Sequence, residues 1–449
     1  MAPPLHGDNR ALTGGRRRAS LSTMVRLLVL MLALLALPLR AATWHVDPAA
    51  PPAGADGREA APWPDLAAAI ASGRVAAGDM ILLHDGAHGT LEISGRIEAG
   101  QAVRVLSVPG ASPVLDRLVI REAAGWHVTG LTIRGRDAPS PPERSLVHVI
   151  RSTDILLEGL DIASVDDAAG WSREDWVENA RDGIAASGQR VHMLGNRIRN
   201  VRFGIRTVAA DSRIERNVID TFSADGIRAL GDRQHYLFNE IRTCVDVDDN
   251  HDDAFQAWSR GADGAAGRGV QEGVVLFGNL IENTPGGPFD CGLQGIGLFD
   301  GIYRDWLIAN NIVLVNHWHG ITVMGAENVR VVNNTVLDVD RRTPDPPWIA
   351  ITHHKDGRPP VNSVIANNLT MPRPPAPEAF RWPKPGVTYT GNVTVPGLGD
   401  AFTFYAEGDL RLPAASPAVD AAVPRHAPSH DIFGRDRGGA PDAGAVERP

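Results

Sequence analysis

The chain has 449 residues, of which 22% are charged, and its formal net charge is −9. This length is sufficient for a large buried core, and the negative charge argues against a general nucleic-acid binder. Aromatic residues make up only 6% of the chain, so we expect a core built mainly from Val, Ile and Leu.

The first residues are typical of an export signal. Arg16, Arg17, Arg18 and Arg26 form a basic region, and an uninterrupted apolar run follows from Leu27 to Leu37. Such a run is too short to span a bilayer but has the length of a signal-peptide core. We therefore predict a signal peptide over residues 1–42, no membrane span in the mature chain, and a periplasmic or secreted protein.

A short helix is predicted where the mature chain begins. Asp65 to Ser72 is rich in Ala and starts with an aspartate at the position of an N-cap. Gly73 can end this helix. An apolar helix at this place would cover the open end of a β-structure, which needs such protection.

An asparagine is repeated through the central region in the same sequence context. It follows a residue such as Gly, Arg or Asn and precedes a short apolar run that is typical of a β-strand. The spacings that contain no insertion are 21, 22 and 23 residues, and the longer gaps contain insertions. A short fixed period indicates a solenoid whose units bury their apolar faces against each other. The repeated residues are Asn196, Asn217, Asn239, Asn279, Asn311, Asn334 and Asn368.

These features predict an all-β fold, a single-stranded right-handed parallel β-helix with a short N-terminal capping helix and an irregular C-terminal cap. The β-helix is expected over residues 43–371, with insertions near 163–181, 257–273 and 284–293. A Pro-rich break and the cap would occupy 372–449. Cys244 and Cys291 fall in neighbouring insertions, where they form either a disulfide or two buried thiols. We expect a monomer.

A second aligned position lies between the asparagines. It contains an apolar residue that must face the core, so the next residue must face outward because strand side chains alternate. The predicted outward column is Ala185, Arg206, Arg228, Gln256, Gly297 and Thr322. Two neighbouring outward arginines, Arg206 and Arg228, suit the carboxylates of an acidic glycan, although they could equally be paired with acidic side chains of the protein.

The densest polar cluster lies between Asp246 and Gln256. It contains Asp248, Asp249, Asn250, His251, Asp252 and Asp253. Clustered carboxylates are the oxygen ligands that calcium prefers, and Asp225 lies one coil earlier in the aligned column. We therefore expect a calcium site formed by Asp225, Asp249, Asp252 and Asp253, with an acidic surface turn as the alternative.

Further polar side chains gather on later coils. Candidate groups for substrate binding or proton transfer there are Gln294, Asp300, His317, His319, His353, His354, Lys355 and Asp356. Four tryptophans, Trp258, Trp306, Trp318 and Trp348, are candidate sugar platforms, although such residues often pack under loops instead.

The mature chain resembles exported bacterial β-helix proteins of the pectate-lyase-like superfamily. The residues that carry this resemblance include Val46-Asp47-Pro48, Trp63-Pro64-Asp65-Leu66, the repeated asparagines and Ser416-Pro417-Ala418-Val419-Asp420. The segment Asp249 to Trp258 is also similar to the paired-aspartate calcium segment of family 9 pectate lyases. That resemblance implies a calcium role for Asp225, Asp252 and Asp253, with Gln256 in place of the family's last aspartate. This sequence has no lysine near the segment, where the family has one.

The predicted activity is that of a polysaccharide lyase acting on an acidic, uronate-containing polysaccharide by β-elimination, assisted by calcium or arginine. Candidate catalytic residues are His251, Asp253, Gln256, Arg228, His319 and Lys355. Candidate substrate-binding residues are Arg206, Arg228, Gln294, His317, His353 and Trp258. The alternatives are a glycoside hydrolase using paired carboxylates, a uronate C5-epimerase, and a glycan-binding β-helix without catalysis.

Overall fold

Parallel strands stacked in successive coils dominate the chain. The computed structural model of the protein describes residues 41–97, 101–135, 144–340, 346–372, 384–403 and 405–449. Residues Ala42–Pro449 form one compact unit, and almost all of the predicted signal peptide lies outside the described residues. No helix in the described ranges is long and apolar enough to cross a bilayer.

The strands of the first coils are long. They are β1 (Thr43–Val46), β2 (Met80–Leu83), β3 (Gly86–Arg96), β4 (Val103–Ser107), β5 (Pro113–Thr129), β6 (Thr132–Arg134), β7 (Ser145–Glu158), β8 (Asp161–Ala163) and β9 (Asp182–Leu194).

The central coils contain shorter strands separated by sharp turns. They are β10 (Arg197–Val201), β11 (Ile205–Thr207), β12 (Arg213–Glu215), β13 (Val218–Phe222), β14 (Ile227–Ala229), β15 (His235–Leu237), β16 (Glu240–Cys244), β17 (Asp253–Trp258), β18 (Val270–Glu272), β19 (Val275–Phe277), β20 (Leu280–Glu282), β21 (Gln294–Asp300) and β22 (Ile302–Arg304).

The last coils are built in the same way. Their strands are β23 (Leu307–Ala309), β24 (Ile312–Val315), β25 (Ile321–Met324), β26 (Ala326–Glu327), β27 (Arg330–Val332), β28 (Thr335–Asp338), β29 (Ile349–Thr352), β30 (Ser363–Ala366), β31 (Leu369–Thr370), β32 (Val387–Thr390) and β33 (Val393–Thr394). The helices are α1 (Leu66–Ala71), α2 (Arg173–Asn179) and α3 (Leu398–Ala401), with 3₁₀ turns at Tyr405–Glu407 and Pro424–His426.

Thirty of the strands in the described ranges belong to one parallel sheet, in which each strand pairs with its counterpart one coil later. Three faces result. The ladder face contains β10, β13, β16, β20, β24, β28, β31 and β33. The site face contains β11, β14, β17, β21, β25 and β29, and the third face contains β12, β15, β19, β23, β27, β30 and β32. The predicted parallel β-helix is thus confirmed.

The repeated asparagines form a continuous ladder inside the turns before the ladder face. The side-chain amide of each asparagine donates to the side-chain oxygen of the next at 2.8–3.0 Å, from Asn196 through to Asn392. The second amide hydrogen of Asn217 donates to the carbonyl of Met193, and its Oδ1 also accepts from the backbone N–H of Asn196. Because each buried amide is fully hydrogen-bonded, the ladder avoids the cost of orphaned polar groups.

The predicted capping helix is confirmed as α1. The side chain of Asp65 accepts a hydrogen bond of 2.7 Å from the backbone N–H of Ala68, which makes it the N-cap. Leu66 and Ala69 are buried against the first coils, and the helix ends before Gly73, whose φ is +65°.

The end of the β-helix differs from the sequence expectation of residue 371. β32 and β33 pair in parallel with β30 and β31 and add a further coil over residues 387–394. The Pro-rich segment concealed this coil, because it interrupts the repeat and the strands that follow it are short. Most of the Pro-rich segment itself, residues 373–383, lies outside the described residues.

The C-terminal segment packs along the side of the coils. Its apolar side chains, including Phe402, Leu412 and Val446, are buried against Leu337 and Leu369 of the ladder face. Buried Arg437 donates to Asn310 Oδ1 at 2.9 Å and to Glu447 at 3.0 Å. The segment predicted to be a cap therefore covers a lateral face that would otherwise expose apolar residues.

The predicted insertions have distinct structures. Residues 163–181 contain α2, which begins with a capping box between Ser172 and Asp175. Residues 257–273 contain a bridge between Arg260 and Ala266 and the strand β18, which starts a small second sheet. Residues 284–293 lie near α2, as the cation–π contact of 5.6 Å between Arg173 and Phe289 shows.

Candidate functional site

The predicted outward column exists on the site face. Arg206 pairs in register with Ala185 and Arg228, and Arg228 pairs with Gln256. The column continues through Gly297 and Thr322. Because adjacent coils are about 4.8 Å apart, Arg206, Arg228 and Gln256 present neighbouring polar groups along the axis.

A layer of buried carboxylates supports this column. Asp225 and Asp253 are both fully buried and lie three residues before Arg228 and Gln256. Arg228 Nε donates to Asp225 Oδ2 at 2.6 Å, and Gln256 Nε2 donates to Asp253 Oδ2 at 2.6 Å. The same arrangement on consecutive coils fixes both outward side chains from below.

Arg206 is held from an earlier coil. Its Nη2 lies 2.9 Å from Oδ2 of buried Asp182, because the position three residues before Arg206 is occupied by Phe203. The sequence had left open whether the two outward arginines were paired with acidic side chains. Both are paired, yet 36% of the Arg206 side chain and 18% of the Arg228 side chain stay exposed, so both side chains remain partly accessible to a ligand.

Aromatic rings flank the arginines. The Arg228 guanidinium carbon lies 4.4 Å from the ring centre of Phe203 and 4.7 Å from that of Trp258. Arg202 and Arg206 also lie over Phe203, at 4.8 and 5.3 Å. Cation–π contacts of this kind are favourable within about 6 Å, and they limit the motion of the guanidinium groups.

Burial changes the protonation of the carboxylate layer. It raises the pKa of Asp225 despite the nearby Arg228, and it raises the pKa of Asp253 well above its ordinary value, with Asp225 adding to the effect. Asp225 keeps the partner that favours its charge, so Asp253 is the member of the pair that retains a proton. Burial, followed by repulsion from Asp246, Asp225 and Asp248, raises the pKa of Asp252 to about 8.

Of the two alternatives for Cys244 and Cys291, the structure has the disulfide, and it lies beside this layer. Cys244 and Cys291 are bonded, with their Cα atoms 5.7 Å apart, a normal separation for a disulfide. Asp252 Oδ2 lies 3.3 Å from the Cys291 sulfur. The bond therefore joins the end of β16 to the 284–293 insertion next to the acidic loop.

The residues present fit a calcium ion poorly. Asp225 and Asp253 are engaged by Arg228 and Gln256, and Asp249 is exposed. Within the described part of the chain, the one group of three acidic, His or Cys side chains whose ligand atoms lie within 4.8 Å of each other is Cys244, Asp252 and Cys291. Because both sulfurs are in the disulfide, these three side chains do not form an oxygen cage of the kind that calcium prefers. Calcium binding stays a prediction, and no catalytic step is assigned to it.

The histidines gather on two coils. His317 and His319 stack with their ring centres 5.3 Å apart, and His319 Nδ1 lies 2.9 Å from Thr322 Oγ1. Burial, helped by the nearby His251, lowers the pKa of His317 to about 4, so this ring is neutral at neutral pH. His251 itself is exposed and precedes Asp253 by two residues, which places it on the coil next to Arg228.

Other predicted site residues lie on coils after that of Gln256. Lys355 Nζ pairs with Asp300 Oδ1 at 2.6 Å, and His354 pairs with Asp356 at 2.8 Å. His353 is exposed on the same late coil. Gln294 is buried beside Asp253, so it lies beneath the surface that a polymer would contact.

The tryptophans divide between core and surface. Trp306 is only 1% exposed and donates to the carbonyl of Gln271, and Trp348 is buried and donates to Thr322. Neither can serve as a sugar platform in this conformation. Trp258 is partly exposed beside Arg228, and Trp318 is 39% exposed, so these two remain candidates.

Three contributors to the site were missed from the sequence: Arg202, Phe203 and Asp182. Asp182, Phe203, Asp225 and Asp253 occupy the same aligned position, three residues before the outward column. The alternation of side chains along a strand did not predict whether this position faces the core or the solvent, because it lies in the turn before the strand, where the alternation is interrupted. The repeated Asp-Gly pairs at Asp182 and Asp225 were the available signal.

The comparisons with known proteins concern the fold. No family model and no curated protein matches the chain. Among solved structures, it is similar to pectate lyase Pel9A, with 14% identity, a TM-score of 0.49, and coverage of 91% of this chain and 96% of that one. A lacto-N-biosidase of family GH136 from Eubacterium ramulus gives 14% identity and a TM-score of 0.49 over 84% of this chain and 71% of that one.

A third similar structure is the A-module of mannuronan C-5 epimerase AlgE6 from Azotobacter vinelandii. It gives 12% identity and a TM-score of 0.46, covering 79% of this chain and all of the module. The parallel β-helix itself is shown by the stacked strands of this chain. The three similar proteins are named for three different reactions, so the reaction must be argued from the site.

Proposed function

We propose that this protein is an exported polysaccharide lyase that cleaves a uronate-containing polymer by β-elimination. The observation that carries the proposal is the layering of the site face. The accessible groups are the guanidinium groups of Arg206 and Arg228 with Gln256, whereas Asp225 and Asp253 are fully buried beneath them. An otherwise acidic protein thus presents two partly exposed arginine side chains that suit the carboxylates along a polymer.

The same layering favours elimination over hydrolysis. A glycosidase needs two carboxyl groups that reach the glycosidic bond from opposite sides. Asp225 and Asp253 have no exposed surface, so a sugar cannot contact them in this conformation. Elimination requires instead a group that neutralises the uronate carboxylate and a base for the adjacent proton, and both can be provided by accessible side chains.

In the proposed reaction, Arg228 and Arg206 bind the uronate carboxylate and stabilise the negative charge that develops when the C5 proton leaves. His251 is the proposed acceptor of that proton, because it is exposed and lies on the coil of Gln256, which pairs with the coil of Arg228. The C4–O bond then breaks, a C4–C5 double bond forms, and the leaving oxygen takes a proton from the histidine or from water.

Export is part of the proposal. The basic and apolar start of the chain is typical of a signal peptide, and the Cys244–Cys291 disulfide is a bond that persists in oxidising compartments. We propose a periplasmic or secreted location, where a long acidic polymer would be met.

The test is a turnover assay of the mature protein on pectate, alginate, glucuronan and glycosaminoglycans, followed by the ultraviolet absorbance of unsaturated uronate. We expect product with the native protein. Arg228→Ala and His251→Ala should each lower kcat by about 100-fold or more, since each removes a group that acts on the transition state. The exposed His235 on the third face provides the control His235→Ala, which should leave kcat unchanged.

The other outcomes separate the alternatives. New reducing ends without absorbance would indicate a hydrolase, and a changed uronate composition without cleavage would indicate an epimerase. Binding without turnover would indicate a glycan-binding protein. Addition of a chelator tests calcium: we expect the activity to survive, because Arg228 already supplies the positive charge, and a complete loss that calcium restores would assign this role to the metal.

A further inference from the structure

A cavity of about 360 Å³ lies between the 163–181 and 284–293 insertions, beside β13 and β16 of the ladder face. The arginines described above belong to the site face. Its volume falls in the range of small-molecule sites, about 300–1,000 Å³. Trp171 and Phe289 line its walls, and Thr221, Thr243 and Thr284 line its floor. None of these residues belongs to the carboxylate-binding surface described above.

The floor is a row of threonine hydroxyls on successive coils. Thr221 and Thr243 occupy the same position in register, one before the paired residues Phe222 and Cys244. Thr243 Oγ1 lies 3.4 Å from Thr284 Oγ1. The row therefore presents hydroxyl groups at the spacing of the coils, each able to donate and accept a hydrogen bond.

Two of these threonines have a strained backbone. Thr221 and Thr243 have φ values of +59° and +56°, a region that β-branched residues rarely adopt. Asn200, one coil earlier, has a φ of +51° and is a residue type that tolerates this conformation. Left-handed residues such as Arg216 and Phe238 recur at other corners of the coils, so the fold sets this conformation, and threonine at these two positions adds a hydroxyl at a cost in stability.

The walls and rim define the chemistry of the ligand. Trp171 is partly exposed and meets Trp176 edge to face at 4.9 Å, so it presents a fixed ring to the cavity. Two exposed carboxylates, Asp167 and Asp290, also line the cavity. Rings suit the C–H face of a pyranose and hydroxyls suit its O–H groups, whereas the carboxylates would repel a uronate.

We infer that this cavity binds an uncharged pyranose unit of the substrate. Thr221 precedes Asp225 by four residues on one coil, so the cavity lies near the surface proposed to bind uronate. The inference rests on the proposed function because it assigns both places to one substrate. The preferred substrate is accordingly a polymer in which uncharged sugars accompany uronates, either alternating in the main chain or as branches. A polymer of uronates alone would leave the cavity empty.

The direct test is saturation-transfer NMR with the methyl glycosides of glucose, galactose, mannose and N-acetylglucosamine, and it needs no turnover. We expect at least one of them to bind. Thr243→Val keeps the shape and the branching of the side chain but removes the hydroxyl, and it should weaken binding by about 3- to 10-fold, the value of one hydrogen bond. Trp171→Ala should weaken it by about 10-fold or more. Exposed Thr394 in the last coil provides the matched control Thr394→Val, with no effect expected.

The kinetic test compares polymers. On a polymer that alternates uronate with N-acetylhexosamine, Thr243→Val should raise KM by the same factor and leave kcat unchanged, and on a polyuronate it should change neither. If no unsaturated product forms with any polymer but a glycoside binds and depends on Thr243, the sugar site stands and the lyase proposal fails. If cleavage occurs while no glycoside binds and both variants keep the native KM, the inference is overturned. The two carboxylates of the cavity, Asp167 and Asp290, would also suit a polyamine. Binding of spermidine in place of every glycoside would therefore overturn the inference.

Discussion

Arg228 shows how a single residue acquires its role from its surroundings. Its guanidinium is bound by Asp225 and lies between the rings of Phe203 and Trp258. Arginine is preferred to lysine here because a planar guanidinium can stack on both rings while it binds a carboxylate. Arg228→Lys should therefore behave nearly like Arg228→Ala in the turnover assay, although it keeps the charge.

Asp252 provides a prediction about pH at the residue scale. Its folded pKa is raised to about 8 by burial and by neighbouring aspartates, whereas an unfolded aspartate titrates near ~3.9. Between these values the folded state binds the extra proton, so the free energy of unfolding falls as pH rises through this window. Asp252→Asn removes this dependence.

The measurement is the melting temperature of both proteins from pH 4 to pH 8. The variant should match the native protein near pH 4 and exceed it by a few degrees at pH 8. Exposed Asp249 in the same loop gives the control Asp249→Asn, which should follow the native curve. A constant difference between variant and native protein at every pH would mean that Asp252 contributes by packing and not by its ionisation.

At the scale of the element, the asparagine ladder is the feature that the sequence predicted best. The spacing and the β-type neighbours identified seven members, and the structure adds Asn392 at 2.8 Å from Asn368. The outward column was equally predictable, because an apolar residue with a known direction fixes its neighbour. The buried carboxylates were not placed correctly by the same reasoning, since turn geometry, and not strand alternation, sets their direction.

The ladder also gives a prediction of stability. Asn239→Ala would remove the side-chain acceptor used by the backbone and side-chain N–H groups of Asn217. These donors are buried, so their loss of partners should lower the free energy of unfolding by about 3 kcal/mol. Chemical denaturation measures this, and Asn179→Ala at the exposed end of α2 is the control, expected to change stability by less than ~0.5 kcal/mol.

Other parts of the site could not be predicted because they depend on contacts between distant segments. The pairing of Lys355 with Asp300 and the burial of Trp306 follow from how late coils pack, and one sequence does not reveal this. The convergence of two insertions around the cavity lined by Trp171 and Phe289 is of the same kind. Their positions in the sequence were predictable, but their mutual approach was not.

At the scale of the whole molecule, the C-terminal segment is attached to the coils by a buried apolar cluster and by several hydrogen bonds. Arg437 is 2% exposed and bonds to Asn310, to Glu447 and to backbone carbonyls of its own segment. Arg437→Ala should leave Glu447 and Asn310 without these partners, a change that strongly favours local detachment. We expect faster proteolysis of residues 396–449 while the circular dichroism of the β-helix persists. Exposed Arg411 provides the control Arg411→Ala, and equal cleavage of both variants would contradict this role.

The direction of the ladder has a mechanical consequence. The amide–amide bonds and the backbone bonds between coils all run along the axis of the solenoid, so force applied to its two ends loads the coils in series. Each released coil, spaced by 21 to 23 residues in the regular region, would add roughly 75 Å of extended chain. The Cys244–Cys291 bond closes a loop with a sequence separation of 47 residues. The chain inside this loop cannot be extended while the bond is intact. Under oxidising conditions the coils around the candidate site would thus yield less chain under tension than any other part of the rod.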